Sequence, residues 1–349
     1  MEQQEFDAFS VFFWENSVRV GEQTYPLGQA TVDVLNFPSE DFSRLCDLTE
    51  AFGRAYDRLL DQRDKRMAED VQSKFNAALD AISTLPPYRD LKLDAGSRTF
   101  LLDLREMPEE WDESMRSGSE ANRMFRELGA KVVALPERVN NFRGQVALML
   151  EFFFEDLPRR SSSEYGRAFD DYYRAMIEGG ARFYPTQEFE QSFPAEFSFV
   201  PMRHPDKPDE FLVAERAKFG ELHFFLYTDF YRALAHGNAP RRCHNCGRYF
   251  LLTRGYNTCY CNNIAPGETT RTCRKVGAHA KEKREREEAS PVQREYHRTY
   301  NRLKQQHQRR KKDDTEYNRQ VAQAQDIRDA YAHGALSEED AIARLIAIG

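Results

Sequence analysis

The sequence predicts a mainly α-helical protein with short β elements, of the α+β class. We expect a helical N-terminal body, then a small cysteine-rich module, then basic C-terminal helices. Three observations support this expectation. Apolar residues recur at helical spacing over long stretches, short aromatic runs next to turn residues are typical of strands, and five of the six cysteines lie between positions 243 and 273. A chain of 349 residues is long enough for two or three domains.

The first domain is predicted over residues 1–130. It opens with an aromatic, β-like region in which residues 18–25 indicate a hairpin with Gly21 near its turn. Apolar residues at helical spacing follow, and Pro86-Pro87 ends that pattern. Periodicity then fades over residues 88–120, where we expect a connection with short elements.

A second, helical domain with short strands is predicted over residues 131–239. One helix is expected at residues 136–156, because proline is well tolerated in the first turn of a helix. Residues 197–200 and 211–214 are candidate strands. A further helix, from about residue 215 to 236, is expected to lead into the first cysteine of the cluster.

The cysteine-rich module is predicted over residues 240–290. It begins with Cys243 and Cys246 in a C-x2-C motif, and Gly247 follows the second cysteine. Structural zinc sites hold Zn²⁺ in a tetrahedron of cysteine and histidine ligands, and a C-x2-C turn places two sulfurs along one edge of it. Glycine allows the chain to turn tightly behind the second sulfur. The motif therefore predicts a zinc-ribbon or treble-clef-like module.

Two further ligands must come from later in the chain. We predict Cys261 and Cys273, with Cys259 as the alternative to Cys261, because two cysteines one residue apart rarely bind the same ion. Four thiolates fill the coordination sphere, so the site is expected to hold one structural Zn²⁺ and no activated water. A chance cluster of buried thiols is the alternative explanation.

Charge is distributed unevenly along the chain. Residues 241–320 contain 20 Lys and Arg against 9 Asp and Glu, whereas the rest contains 30 against 48. A basic segment on an acidic body favours nucleic-acid binding, most simply to DNA, and an intramolecular contact between body and segment. The alternative is that both are ordinary solvated surfaces. The cations predicted to contact phosphate are Arg241, Arg242, Arg248, Arg254, Arg271, Arg274, Lys275, Lys281, Arg294, Arg298 and Arg302.

The last three of these arginines belong to the predicted C-terminal region, residues 291–349. They form one stripe of a predicted helix, and an opposite stripe carries Tyr296 and Leu303 among its apolar residues. The N-terminus lacks the basic start of a secretion signal, and no apolar run approaches the roughly 20 residues of a membrane span. We therefore expect a cytoplasmic protein that does not enter membranes.

Residues 224–281 resemble a part of known protein families. This stretch resembles the C-terminal zinc module of bacterial CGNR-type zinc-finger regulators. It resembles more closely a related, uncharacterised bacterial zinc-ribbon family that has the phrase CGRYF before a late pair of cysteines. The sequence differs from the CGNR pattern where Cys273-Arg274-Lys275-Val276 replaces Cys-Gly-Asn-Arg. The shared positions are Arg241, Cys243, Cys246, Gly247, Phe250, Tyr260, Cys261, Cys273 and Arg274.

The resemblance implies a DNA-binding module that can act in regulation, behind a helical domain that either responds to a ligand or has another, unassigned role. We expect a zinc-stabilised nucleic-acid-binding protein without enzymatic activity, either a bacterial regulator or a mobile-element accessory factor. One alternative is a zinc-stabilised scaffold that binds a protein partner and no nucleic acid. Another is a treble-clef nuclease using His244 or His279, which would need a second metal site with carboxylates.

Overall fold

A computed structural model describes most of the chain. The described residues are 6, 8–91, 98–178, 194–205, 207–253, 257–309 and 313–348, and only the backbone is described at 177–178, 208, 281–282 and 284–288. Two compact units are present, Met1–Cys259 and Tyr260–Gly349. Long helices and antiparallel strands confirm the predicted α+β class.

The first unit contains seven strands and eight helices among the described residues. The strands are β1 (Phe9–Trp14), β2 (Ser17–Val20), β3 (Gln23–Pro26), β4 (Ala195–His204), β5 (Lys207–Phe219), β6 (Ala239–Arg242) and β7 (Tyr249–Leu252). The helices are α1 (Gln29–Leu35), α2 (Ser39–Gln62), α3 (Ala68–Ile82), α4 (Phe100–Arg105), α5 (Pro108–Met115), α6 (Glu120–Met149), α7 (Ser162–Glu178) and α8 (Leu222–His236). A π-helical segment, Leu150–Phe154, continues α6.

The main sheet has the order β3-β2-β1-β5-β4 and is antiparallel throughout. The predicted hairpin around Gly21 is confirmed as β2 and β3, and Gly21 has the positive φ of 58° that its turn requires. The short elements expected over residues 88–120 are present as α4 and α5.

Helix α6 corrects the expectation of a helix at residues 136–156. Pro136 lies inside a helix of 30 residues and not in its first turn. Proline removes one backbone hydrogen bond and is unfavourable in a helix interior. Here a long apolar face outweighs that cost, since Val132, Val139 and Phe142 are almost fully buried in the core.

The predicted strands at 197–200 and 211–214 are confirmed, but β5 runs on to Phe219. The helix expected from residue 215 therefore begins only at Leu222. Residues 215–219 pair with β1, and this pairing holds them in the sheet. Tertiary hydrogen bonding thus overrides the local apolar pattern.

The outer part of β4 and β5 forms a two-stranded arm beyond β1. One side of the arm packs Met202 and Ala214 against Trp14. The opposite side exposes large apolar side chains, which are Phe197, Phe199, Phe211 and Val213.

Helices α1 and α8 are joined by a buried carboxylate. The Asp229 side chain on α8 accepts hydrogen bonds from the Gly28 amide at 2.9 Å, the Thr31 amide at 3.2 Å and the Thr31 hydroxyl at 3.0 Å. Burial raises the pKa of Asp229 to about 6, although these bonds act to lower it. Asp229 thereby satisfies the amides at the start of α1, which would otherwise lack partners.

The second unit contains four helices among its described residues, α9 (Cys273–Glu288), α10 (Pro291–Gln308), α11 (Asp314–Ala332) and α12 (Glu338–Ala347). Val292, Tyr296 and Leu303 of α10 are buried in its core, so the predicted apolar stripe is confirmed. Ser290 and Ser337 cap α10 and α12 through side-chain oxygens that accept backbone N–H bonds. Across the described part of the chain, no helix combines the length and apolarity needed to cross a membrane.

Candidate metal centre and the adjoining pocket

The first pair of cysteines lies in the connection between β6 and β7. These strands pair from Ala239 with Leu252 to Arg242 with Tyr249. Beyond them the Cys243 amide donates to the Arg248 carbonyl at 2.9 Å, and the Gly247 amide donates to the Cys243 carbonyl at 2.9 Å. Gly247 has a φ of 73°, a left-handed conformation that favours glycine. The C-x2-C segment is therefore a tight turn closed by its own backbone.

The second pair is held by a separate set of backbone bonds. The Cys273 amide donates to the Asn263 carbonyl at 2.8 Å, and the Arg274 amide donates to the Cys261 carbonyl at 3.0 Å. Cys273 is the first residue of α9, whose N-cap is Thr272. These bonds close the loop from residue 261 to 273 and place both cysteines at its base.

The aromatic ring of Tyr260 packs on α9 at Gly277. A Cβ atom added at Gly277 would lie 2.3 Å from the Tyr260 ring, far closer than van der Waals contact. Only glycine leaves room for this ring, so Gly277 fixes the approach of the segment containing Cys261 to the first turns of α9.

The structure brings together the four cysteines predicted as ligands. The Sγ atoms of Cys243, Cys246, Cys261 and Cys273 all lie within 4.8 Å of one another. All except Cys246 are buried, with exposed fractions of 3% or less. A zinc–sulfur distance of about 2.3 Å gives a tetrahedral edge of about 3.8 Å, so small side-chain rotations would complete the sphere. The four cysteines form a candidate metal site.

Cys259 is not a member of this group. Its carbonyl instead accepts a hydrogen bond from the His244 amide at 2.9 Å. Cys259 therefore supports the C-x2-C turn through its backbone.

Asn36, immediately after α1, fixes β7 to the body of the first unit. Its side-chain amide donates to the Tyr249 carbonyl at 2.8 Å, and its side-chain oxygen accepts from the Tyr249 amide at 2.8 Å. One side chain thus pairs with both backbone groups of a strand residue, as a neighbouring strand would.

Glu155, next to the π-helical segment, binds strand β6 through Arg241. Its carboxylate accepts from Arg241 at 3.0 Å and lies 2.8 Å from His244 Nε2. Arg241 also donates to the Asn257 side chain at 3.0 Å and to the Thr258 carbonyl at 3.2 Å. Burial acts to raise the pKa of Glu155, but the bonds from Arg241 and His244 outweigh it and lower the pKa.

These contacts correct one predicted phosphate contact. Arg241 is only 6% exposed, and its guanidinium is engaged by Glu155 and Asn257. It is a buried structural cation and is not accessible to a nucleic-acid backbone.

The other predicted cations fall into three groups. Arg242, Arg248, Arg274, Lys275 and Arg294 are exposed. Arg271 and Arg298 are exposed but paired with Glu268 and Glu295, and Arg302 donates to the carbonyls of Ile346 and Ile348 at the end of α12. Arg254 and the Lys281 side chain lie outside the described residues.

Sequence reasoning missed Asn36, Glu155 and Arg160 as residues that surround the cysteine module. Arg160 is 9% exposed and donates to the Glu155 carbonyl at 2.5 Å. All three lie 80 or more positions before the first cysteine of the cluster. No spacing motif connects residues so distant in the chain.

Comparison with known proteins adds one family. The profile of a family of unknown function, DUF6076, matches residues 190–346, which is just under half of the chain. The matched region includes the arm, the four clustered cysteines and most of the C-terminal helices. No curated protein matches the chain. No solved structure matches it either.

Proposed function

We propose that this protein binds one structural Zn²⁺ through Cys243, Cys246, Cys261 and Cys273, and binds DNA through the cations beside these cysteines. The observation that supports the proposal is the four-cysteine cluster, three of whose members are buried. Exposed cationic side chains lie next to both pairs of cysteines in the sequence. These are Arg242, Arg248, Arg274 and Lys275.

The donor set favours a thiolate-binding metal such as zinc over magnesium and calcium. Four thiolates suit Zn²⁺ or iron–sulfur chemistry, whereas magnesium and calcium prefer oxygen ligands. Four protein ligands leave no open coordination position, so the metal stabilises the module and performs no hydrolysis. Zn²⁺ binding would supply folding free energy to the cysteine-rich module.

Metal content tests the first half of the proposal. The purified protein is expected to contain one zinc per chain by elemental analysis. Cys243→Ser should remove it, because three thiolates and a hydroxyl bind zinc much more weakly. Cys259→Ser is the matched control and should retain one zinc per chain. Equal zinc content in all three proteins would refute the assignment, as would an iron–sulfur absorption spectrum.

Salt dependence tests the second half. If the four exposed cations each contact a phosphate, the logarithm of duplex affinity should fall with the logarithm of salt concentration at a slope of about −4. Replacing Arg274 and Lys275 by glutamine should reduce that slope by about 2 units. The matched control replaces Arg44 and Arg58, two exposed arginines on α2, by glutamine as well. It should leave the salt slope unchanged.

The same titration separates the alternatives. A zinc-loaded protein that binds neither duplex DNA nor RNA at low salt would exclude the nucleic-acid proposal and favour the protein-interaction scaffold. If the Arg274/Lys275 and Arg44/Arg58 double variants change the salt slope equally, DNA is attracted by the overall charge of the protein. That result would overturn the assignment of DNA binding to the cysteine module.

A further inference from the structure

A cavity of about 400 Å³ lies within the first unit, beside the C-x2-C turn. Its walls come from the π-helical segment and the residues that follow it on one side, and from the β6–β7 hairpin on the other. Leu150, Phe154 and Pro240 form an apolar part. The charged and titratable side chains of the polar part are Glu151, Glu155, Arg160, Arg241, Arg242 and His244. The volume is that of a small-molecule site with apolar walls and a few polar groups.

The polar part contains more buried positive charge than its contacts neutralise. Arg160 and Arg241 are 9% and 6% exposed. The Glu155 carboxylate accepts from Arg241, but Arg160 donates to the Glu155 backbone carbonyl, which carries no net charge. The second acidic wall residue, Glu151, is exposed.

Both guanidiniums also retain unused hydrogen-bonding capacity. The Nε atoms of Arg160 and Arg241 are buried and have no hydrogen-bond partner among the described residues. A buried polar group without a partner costs free energy, and a buried unpaired charge costs more. Burial and the positive charge of Arg241 lower the pKa of Arg160, and the opposing influence of Tyr165 and Glu155 offsets only part of that effect.

An oxyanion in the cavity that both arginines line would offset their unbalanced positive charge. Guanidinium groups bind carboxylate and phosphate through paired N–H bonds, and such bonds are strongest where water is excluded. We propose that this cavity binds a small metabolite through its phosphate or carboxylate group, with Arg160 and Arg241 holding the anion and the apolar walls contacting the rest of the ligand.

The burial of the arginines argues for a small ligand over a nucleic-acid backbone. Phosphates of a duplex lie on its surface and meet exposed side chains, which Arg160 and Arg241 are not. The proposal therefore goes beyond DNA binding and does not depend on it. Because the hairpin that bears Cys243 forms one wall, an occupied site would directly contact the strands that carry the metal module.

Calorimetric titration of the zinc-loaded, full-length protein with inorganic phosphate, and separately with acetate, tests the site at constant ionic strength. We expect one of these anions to bind at a single site, and Arg160→Met to weaken its binding by about tenfold or more. Arg160→Lys, which keeps the charge but loses the planar fork, should bind with intermediate affinity. Arg159→Met is the matched control, since Arg159 is an exposed neighbour, and it should bind as wild type does.

Circular dichroism and zinc content establish that each variant is folded. The proposal is overturned if neither anion binds wild type at concentrations up to about 20 mM. It is equally overturned if Arg159→Met and Arg160→Met weaken binding to the same extent. If neither ion binds and Arg160→Met instead weakens duplex binding, the anion belongs to nucleic acid and the small-ligand site is refuted.

Discussion

Asn36 offers a direct test of how the body of the first unit positions the metal module. Its side chain donates to the Tyr249 carbonyl and accepts from the Tyr249 amide, both at 2.8 Å. Asn36→Asp is nearly isosteric but has no N–H group to donate at neutral pH. The Tyr249 carbonyl would therefore lose its donor and face a negatively charged oxygen.

The expected cost follows from those two bonds. A typical hydrogen bond contributes about 1 kcal/mol net, and a partly buried acceptor that loses its donor costs about 1–3 kcal/mol. Asn36 and Tyr249 are both half-buried, so we expect a loss of about 2 kcal/mol. In a unit of this size that corresponds to a fall in melting temperature of about 4–8 °C.

Thermal unfolding of the zinc-loaded protein, together with hydrogen exchange at the Tyr249 amide, measures this effect. We expect a lower melting temperature and faster exchange in strand β7. Asn141→Asp is the matched control, because Asn141 is exposed on α6 and its substitution should change the stability by less than about 0.5 kcal/mol. Equal melting temperatures for the two variants would refute the idea that Asn36 anchors the module.

Further predictions concern Gly277, Asp229 and the metal. Gly277→Ala should destabilise the second unit by about 1–3 kcal/mol in urea titrations, because its methyl group would overlap the Tyr260 ring; Gly144→Ala, with no atom within 4 Å of the added methyl, should be neutral or stabilising. Burial raises the pKa of Asp229 from its usual 3.8 to about 6, so its contribution to stability is fully present below about pH 4 and is lost as the pH rises through 6. Between pH 4 and pH 7 the free energy of unfolding of wild type should therefore fall by about 2 kcal/mol relative to that of Asp229→Asn, and an unchanged difference would contradict this. A zinc chelator should make four thiols per chain newly reactive towards a thiol reagent, and restored zinc should protect them again.

The metal site was largely predictable because its chemistry is local in sequence. The C-x2-C spacing, the glycine after it and the two later cysteines identify four side chains that the structure places within 4.8 Å. The choice of Cys261 over Cys259 also agrees with that cluster. Cys259 lies outside the group, and its carbonyl accepts a hydrogen bond from the His244 amide instead.

Helix boundaries were less predictable, because packing and pairing decided them. Pro136 indicated a helix start, but a buried apolar face carries α6 through it. Residues 215–219 fitted a helical pattern, but their pairing with β1 keeps them extended. In both places, long-range contacts outweighed a local preference of a few kcal/mol at most.

The sequence by itself determined the α+β class, the four clustered cysteines and the uneven distribution of charge. Only the tertiary structure decided which of the positively charged side chains are exposed to solvent. Arg241 and Arg248 are both arginines that flank the C-x2-C motif. Arg241 is nevertheless buried against Glu155, whereas Arg248 is exposed. The carboxylate that pairs with Arg241 belongs to Glu155, 86 positions earlier in the chain, and a linear motif carries no information on so distant a neighbour. For the same reason, the pocket formed around Arg160 and Arg241 became visible only in the folded chain.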